Sequence, residues 1–320
     1  MNGVFSVALV GVGNIGLRHL QGLLRCQQTL NVFVVDPDPA SRNRAREFFL
    51  SVSPALRHSL SFSSTQADFP TEVDVAIVAT NSKDRLRSSV DLANNCSVGS
   101  WIFEKYLTND PHQLDAFLDL TNGSKAWVNH PRRSMSWYQE IRDHLGSNEK
   151  IVMKVQVRPN SLLTSCIHFV DLAQWWRGSR PVEAILNVDK DGFVPSLRSG
   201  YLEASGTFSA IFEDGSNLTV ETRDNPDEQF AEIFVGKTGE TVEIQESEGR
   251  ARFSDGRILE GRFELQSTLS GGIVGSIVVK HECELTGLLE SVVAHRVVLG
   301  SLQQAWLRSS ALEGEFVPVT

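Results

Sequence analysis

Near the start of the chain lies an apolar, β-branched run, Val4–Val10, and leucines at helical spacing follow: Leu17, Leu20, Leu23 and Leu24. The run reads as a buried strand and Ile15–Cys26 as a helix. The same alternation continues. Val32–Val35 is a second strand, Ala40–Phe49 an arginine-rich helix, and Val73–Ala79 a third strand, apolar but for Asp74. Leu86–Ala93 is helical, Trp101–Phe103 a short strand, Pro111–Leu120 a helix and Ala126–Asn129 a strand. Strands alternating with helices in this way predict a parallel sheet.

After Pro131 the pattern changes. Ser136–Leu145 reads as an amphipathic helix, Val152–Val157 as a strand and Ile167–Trp176 as an apolar helix. Strand-like runs then recur between turn signals: Gly206–Phe212 before Asp214-Gly215, Asn217–Glu221, Ala231–Val235 before Gly236, and Thr241–Gln245. Short strands at such spacing predict an antiparallel sheet. Leu285–Arg308 reads as one closing helix. The fold class is therefore an α/β Rossmann domain, residues 1–128, followed by an α+β domain with an open, mainly antiparallel sheet, residues 129–320.

Composition narrows the function classes. The 320 residues suit two domains, at about 100–200 residues each. The net charge of −9, with no basic stripe, argues against nucleic acid or an anionic membrane as the main partner. No apolar run approaches the ~20 residues of a membrane span. Cys26, Cys96, Cys166 and Cys283 form no C-x-x-C pair, which fits neither a zinc site nor a disulfide framework. With no signal-peptide pattern, a cytoplasmic location is expected.

The strongest motif is Gly11-Val12-Gly13-Asn14-Ile15-Gly16. This G-x-G-x-x-G lies between a predicted strand and a predicted helix, the context that gives it meaning. Gly11 permits the tight turn, Gly13 lets backbone approach a pyrophosphate, and Gly16 lets helix and strand pack closely. The free N–H groups at the helix start, among them those of Asn14 and Ile15, would face the phosphates. Asp36 ends the second strand, twenty residues past Gly16, where a carboxylate accepts hydrogen bonds from ribose hydroxyls. Its charge would repel a 2′-phosphate, so NAD is expected rather than NADP. Arg42, Arg44 and Arg46 read as the solvated face of a helix. No H-E-x-x-H or G-x-S-x-G motif is present, and no metal is expected.

This loop, together with Glu104-Lys105 after a later strand, resembles the glucose–fructose oxidoreductase / inositol dehydrogenase family. Further likenesses are Val78-Ala79-Thr80-Asn81, Asn129-His130-Pro131-Arg132-Arg133 and Ile167-His168-Phe169-Val170-Asp171. The resemblance implies an NAD-dependent oxidoreductase acting on a secondary alcohol of a sugar, sugar derivative or nucleotide sugar. It implies Lys105 and His168 as the catalytic pair, and Thr80, Asn81 and Glu104 beside the cofactor. His130, Arg132 and Thr164 would touch the substrate, and the open sheet implies a homodimer or homotetramer.

Three positions depart from the family pattern. Tyr106 replaces a proline, so a trans Lys105–Tyr106 bond is expected. Arg85 replaces a histidine, and Thr164 an aspartate, so Thr164→Asp is expected to favour activity. Two other readings share the scaffold: an NAD-binding protein without turnover, serving regulation or assembly, and an imine or enone reductase.

Overall fold

The computed structural model describes residues 3–52, 58–146, 149–223, 232–237, 239–309 and 314–320. Ala231, the first residue of one expected strand, lies outside these. The chain forms two compact units. The first comprises residues 1–108, 115–134 and 264–288, and the second residues 109–114, 135–263 and 289–320.

In the first unit, β1 (Val4–Val10), β2 (Thr29–Val35), β3 (Ser59–Ser63), β4 (Glu72–Val78), β5 (Ser97–Phe103) and β6 (Lys125–Val128) form a parallel sheet. A short antiparallel strand, β15 (Thr286–Gly287), adds to its edge, in the order β15-β6-β5-β4-β1-β2-β3. The strand order reverses at β1, which pairs with β2 on one side and β4 on the other. The crevice at the carboxyl ends of two such strands is where doubly wound sheets bind ligands. Val7, Ala8 and Leu9 of β1 and Val75, Ala76, Ile77 and Val78 of β4 are fully buried, as expected of central parallel strands. Helices α1 (Asn14–Leu23), α2 (Pro39–Val52), α3 (Arg85–Asn95) and α4 (Leu114–Leu120) connect the strands.

The second unit contains α5 (Ser136–Leu145), α6 (Leu162–Arg177) and an eight-stranded sheet. Its strands are β7 (Val152–Val157), β8 (Pro181–Pro195), β9 (Leu202–Phe212), β10 (Asn217–Thr222), β11 (Glu232–Lys237), β12 (Glu240–Gln245), β13 (Arg250–Phe253) and β14 (Ile258–Glu260). Their order is β14-β13-β12-β11-β7-β10-β9-β8, antiparallel throughout except for β7 against β10. One face carries Met153, Val155, Leu218, Val220, Phe208 and Ala210, all buried, while Val152, Ile185, Ile211 and Phe234 stand exposed on the other. Helix α8 (Leu288–Arg308) closes the chain.

Residues 264–288 depart from the expected division of the chain, because they belong to the first unit. They contain α7 (Gln266–Lys280), a helix that the pattern of apolar residues did not reveal. Gly271, Gly272 and Gly275 lower its intrinsic propensity by about 1 kcal/mol each. Tertiary packing reverses that penalty, since a Cβ at Gly271 would lie 2.5 Å from Gly22 O and one at Gly22 2.8 Å from Ser270 Cβ. The glycines thus let α7 lie directly on α1. The edge strands β3 and β8 likewise carry no clear apolar signal in the sequence. Serines alternate through β3, and the polar stretch Asp189-Lys190-Asp191-Gly192 interrupts β8 at a register shift.

The α1–α7 contact makes opposite predictions for adjacent glycines. Gly271→Ala is expected to lower stability by about 1–3 kcal/mol, as overpacking does. Gly272→Ala, with nothing within 4 Å of the new Cβ, should instead gain from helix propensity. Urea unfolding of the two variants checks this; equal effects would contradict the packing.

Candidate functional site

The glycine loop follows β1 directly. Gly11 has φ +87° and donates its N–H to Val35 O at 2.8 Å. Its Cβ position lies 3.1 Å from the backbone of Ala79 and Thr80, so the two strand ends approach closely there. A Cβ on Gly16 would lie 2.0 Å from Gly11 O, which excludes any side chain. Around Gly13 there is nothing within 4 Å of the Cβ position. Gly13 is also the N-cap of α1, and no side chain caps the helix there. Its first-turn N–H groups lack intrahelical acceptors by construction, and no acidic residue occupies that turn. Open space, uncapped N–H groups and the positive end of a helix dipole together fit a phosphate group.

Asp36 is mostly buried at the end of β2. Its Oδ2 accepts from Val12 N at 2.7 Å and its Oδ1 from Asp38 N at 2.9 Å. Each carboxylate oxygen has a second acceptor site, so the group is fixed to the loop and keeps capacity for two hydroxyl donors. The nearby arginines have partners of their own. Arg42 donates to Asp36 O, Arg44 donates to Ser41 Oγ at 2.9 Å, and Arg46 lies 5.2 Å from the Phe62 ring centroid.

Past β4, Asn81 organises the turn into α3. Its Nδ2 donates to Asp84 Oδ2 at 2.9 Å, and its Oδ1 accepts from Asp84 N at 3.0 Å. Thr80 Oγ1, beside the loop, is buried with no hydrogen-bond partner among the described residues. An orphaned hydroxyl at the switch point of a parallel sheet is a further mark of a ligand site. Arg85, 1% exposed, donates to Thr80 O.

Glu104, at the end of β5, lies at the centre of a buried polar network. Its Oε1 accepts from Asn129 Nδ2 and bonds His19 Nε2 at 2.8 Å. His19 Nδ1 meets Ser270 Oγ at 2.9 Å, and Gln266 Oε1 accepts from Asn129 Nδ2 at 2.8 Å. Burial pushes the Glu104 carboxyl up, but the His19 hydrogen bond and charge, the Asn129 amide and the Arg85 guanidinium outweigh it. The net effect holds Glu104 below the usual carboxylate range.

Lys105 follows, half-buried, with Nζ 5.8 Å from the Tyr106 ring centroid. The Lys105–Tyr106 bond is cis, not trans as expected. That expectation rested on the intrinsic preference of a lone peptide bond, whereas Tyr106 here is a fully buried core residue. His130 is buried inside the unit and Arg132 is half-buried.

In the second unit, Thr164 and His168 stand one turn apart on α6, on one face of the helix. Apart from Ser165 between them, the helix is otherwise buried. Thr164 Oγ1 donates to Glu203 Oε1 from β9. Glu203 is itself buried and also accepts from Leu163 N at 3.0 Å and Thr164 N at 3.2 Å.

No protein-family model and no curated protein matches this sequence. Solved structures do. UDP-N-acetylglucosamine 3-dehydrogenase from Acidithiobacillus ferrooxidans aligns with a TM-score of 0.67 and 15% identity, over 97% of this chain and 98% of that one. An oxidoreductase from Agrobacterium radiobacter, in complex with NAD+, L-tartaric acid and magnesium, aligns with a TM-score of 0.72 and 13% identity, over 94% and 96%. Scyllo-inositol dehydrogenase from Lactobacillus casei aligns with a TM-score of 0.67 and 16% identity, over 97% and 98%. The chain has the two-domain fold of these oxidoreductases.

Sequence reasoning identified the loop, Asp36 and the Glu104-Lys105 pair as local motifs. It assigned no role to His19, Gln266, Ser270 or Glu203, each of which has a partner 39 to 251 residues away in sequence. No local spacing signals such pairs. Asn129 was visible only as part of a family-like segment.

The Glu104 network predicts a pH dependence with a definite sign. A native carboxyl held below its ordinary value of 4.5 contributes stability above that pH. The contribution is lost as pH falls through the lowered native value. Glu104→Gln is expected to be less stable by about 1.5–3 kcal/mol at neutral pH. The gap should stay constant down to pH 4.5 and close below it. Denaturant titrations across that range check it, and a gap that persists unchanged into acid would contradict the assignment.

Proposed function

We propose that this protein is an NAD-dependent oxidoreductase. It would transfer a hydride between nicotinamide and a secondary alcohol or ketone of a sugar, sugar derivative or nucleotide sugar. The observation that carries the reading is the glycine loop tied to Asp36 beside an uncapped helix N-terminus, at the reversal point of a parallel sheet. The named structural relatives, two of them dehydrogenases of carbohydrate-like alcohols and one holding NAD+, support the substrate class and the cofactor.

The residues divide the work as follows. Gly13, Asn14 and Ile15 present backbone N–H groups to the pyrophosphate, and Gly11 and Gly16 maintain the loop's shape. Asp36 takes the ribose hydroxyls and disfavours a 2′-phosphate. Thr80 offers its orphaned Oγ1 to the cofactor, with Asn81 holding its turn. Glu104 acts indirectly: its carboxylate anchors the strand end from which Lys105 projects. When bound, the nicotinamide supplies the hydride acceptor or donor. Lys105 holds the reacting substrate oxygen and moves its proton, and a positioned acid or base of this kind contributes about 10²–10⁴-fold. His168, whose ring nitrogens can both accept and donate a proton, relays it. Arg132 and Thr164 bind further substrate oxygens.

The exposed apolar side chains Val152, Ile185, Ile211 and Phe234 on one sheet face support a homodimer or homotetramer. Among the described residues no helix is long and apolar enough to cross a membrane, and no cluster of potential metal ligands occurs. The four cysteines are free thiols, which supports a reducing, cytoplasmic setting.

The test is NADH formation over a panel of polyols, sugars and nucleotide sugars, run beside Lys105→Ala. Turnover is expected with at least one compound. Lys105→Ala should lower kcat at least ~10²-fold with NAD affinity unchanged, because its role lies in the transition state. Turnover that survives the substitution would overturn the role given to Lys105. Silence of the unaltered protein across the panel would favour a cofactor-binding role without turnover.

A further inference from the structure

Glu203 belongs to no motif, yet its carboxylate receives three donors from the start of α6. It comes from β9 to the start of α6 and accepts two backbone N–H groups, from Leu163 and Thr164. The helix needs those acceptors, because its N-cap residue Ser161 turns its hydroxyl to Arg158 O at 2.8 Å and caps nothing. Capping alone would account for a carboxylate here. It does not account for the third bond, in which Thr164 Oγ1 also donates to Glu203.

That bond changes what Thr164 can offer. A hydroxyl has one proton and two acceptor lone pairs. With the proton committed to a buried carboxylate, the oxygen presents only lone pairs elsewhere. Thr164 is half-buried and shares its helix face with His168, whereas most of α6 is fully buried.

We propose that Glu203 is a positioning residue of the substrate site, holding Thr164 Oγ1 as an obligate hydrogen-bond acceptor for a substrate hydroxyl beside His168. This rests on the oxidoreductase reading and deepens it. The site then selects a substrate with a hydroxyl donor at that point and disfavours a deoxy or O-methyl analogue, which cannot donate there. It also reverses the expectation for Thr164→Asp. With Glu203 in place, that change sets two carboxylates against each other, and like charges at such range cannot both ionise freely.

The experiment compares Thr164→Val, Thr164→Ser, Thr164→Asp and the double variant Thr164→Asp/Glu203→Gln. The probes are myo-inositol, scyllo-inositol and UDP-N-acetylglucosamine, with NAD. Thr164→Val leaves the backbone capping by Glu203 intact, so it separates the hydroxyl's role from folding. It should raise KM about 10-fold, the worth of one hydrogen bond, with NAD affinity unchanged, and Thr164→Ser should restore most of that loss. Thr164→Asp should lose at least ~10-fold in kcat/KM, and adding Glu203→Gln should recover it, because the carboxamide can donate to the new carboxylate. Equal behaviour of the Val and Ser variants, or a double variant no better than Thr164→Asp, would overturn the proposal. If the unaltered protein forms no NADH with any probe, the dehydrogenase reading fails separately. Glu203 is then judged by calorimetric binding of the same probes to the NADH-saturated protein. The same order of affinities would support the proposal, and no binding, or binding indifferent to these changes, would overturn it.

Discussion

One carboxylate oxygen, Glu104 Oε1, organises the first unit. A buried charge persists only if it is paired and hydrogen-bonded, and Glu104 meets that requirement with groups from distant parts of the chain. His19 comes from α1, the helix that begins at the glycine loop, and Asn129 comes from just past β6. Gln266 and Ser270 bring in α7, a segment over a hundred residues later in sequence. The helix behind the phosphate-type loop and the strand end before Lys105 are therefore fixed to the same anion. Satisfied networks of this kind confer rigidity, which the proposed proton and hydride transfer requires.

A comparable logic operates in the second unit, where Glu203 is buried and its oxygens receive backbone and hydroxyl donors from α6. In both places a carboxylate that need not touch a ligand determines what neighbouring groups present. Glu104 sets position and Glu203 sets hydrogen-bonding polarity. The chemistry proposed for Lys105, Thr164 and His168 depends on such support as much as on their own identity.

Much of the architecture was readable from the chain. The apolar runs of β1 and β4 mark central parallel strands because both faces of such strands are covered. The G-x-G-x-x-G loop and Asp36 were legible because their geometry is local: Gly16 must lack a Cβ where Gly11 O approaches, and Asp36 is tied to Val12 N. What escaped was whatever tertiary contact decides. Helix α7 looked unfavourable because of glycines whose purpose is to admit α1. The edge strands β3 and β8 lack the apolar signal of buried ones. The Thr164–Glu203 pair joins residues that no spacing rule connects.

The central claim is that the loop and Asp36 form a site for NAD. Its most direct test is equilibrium titration of the unaltered protein with NAD(H) and, in parallel, NADP(H), followed by calorimetry. The account predicts saturable, one-to-one binding of NAD(H), with NADP(H) markedly weaker because its 2′-phosphate meets the Asp36 carboxylate. Absence of NAD(H) binding, or tighter binding of NADP(H), would contradict it.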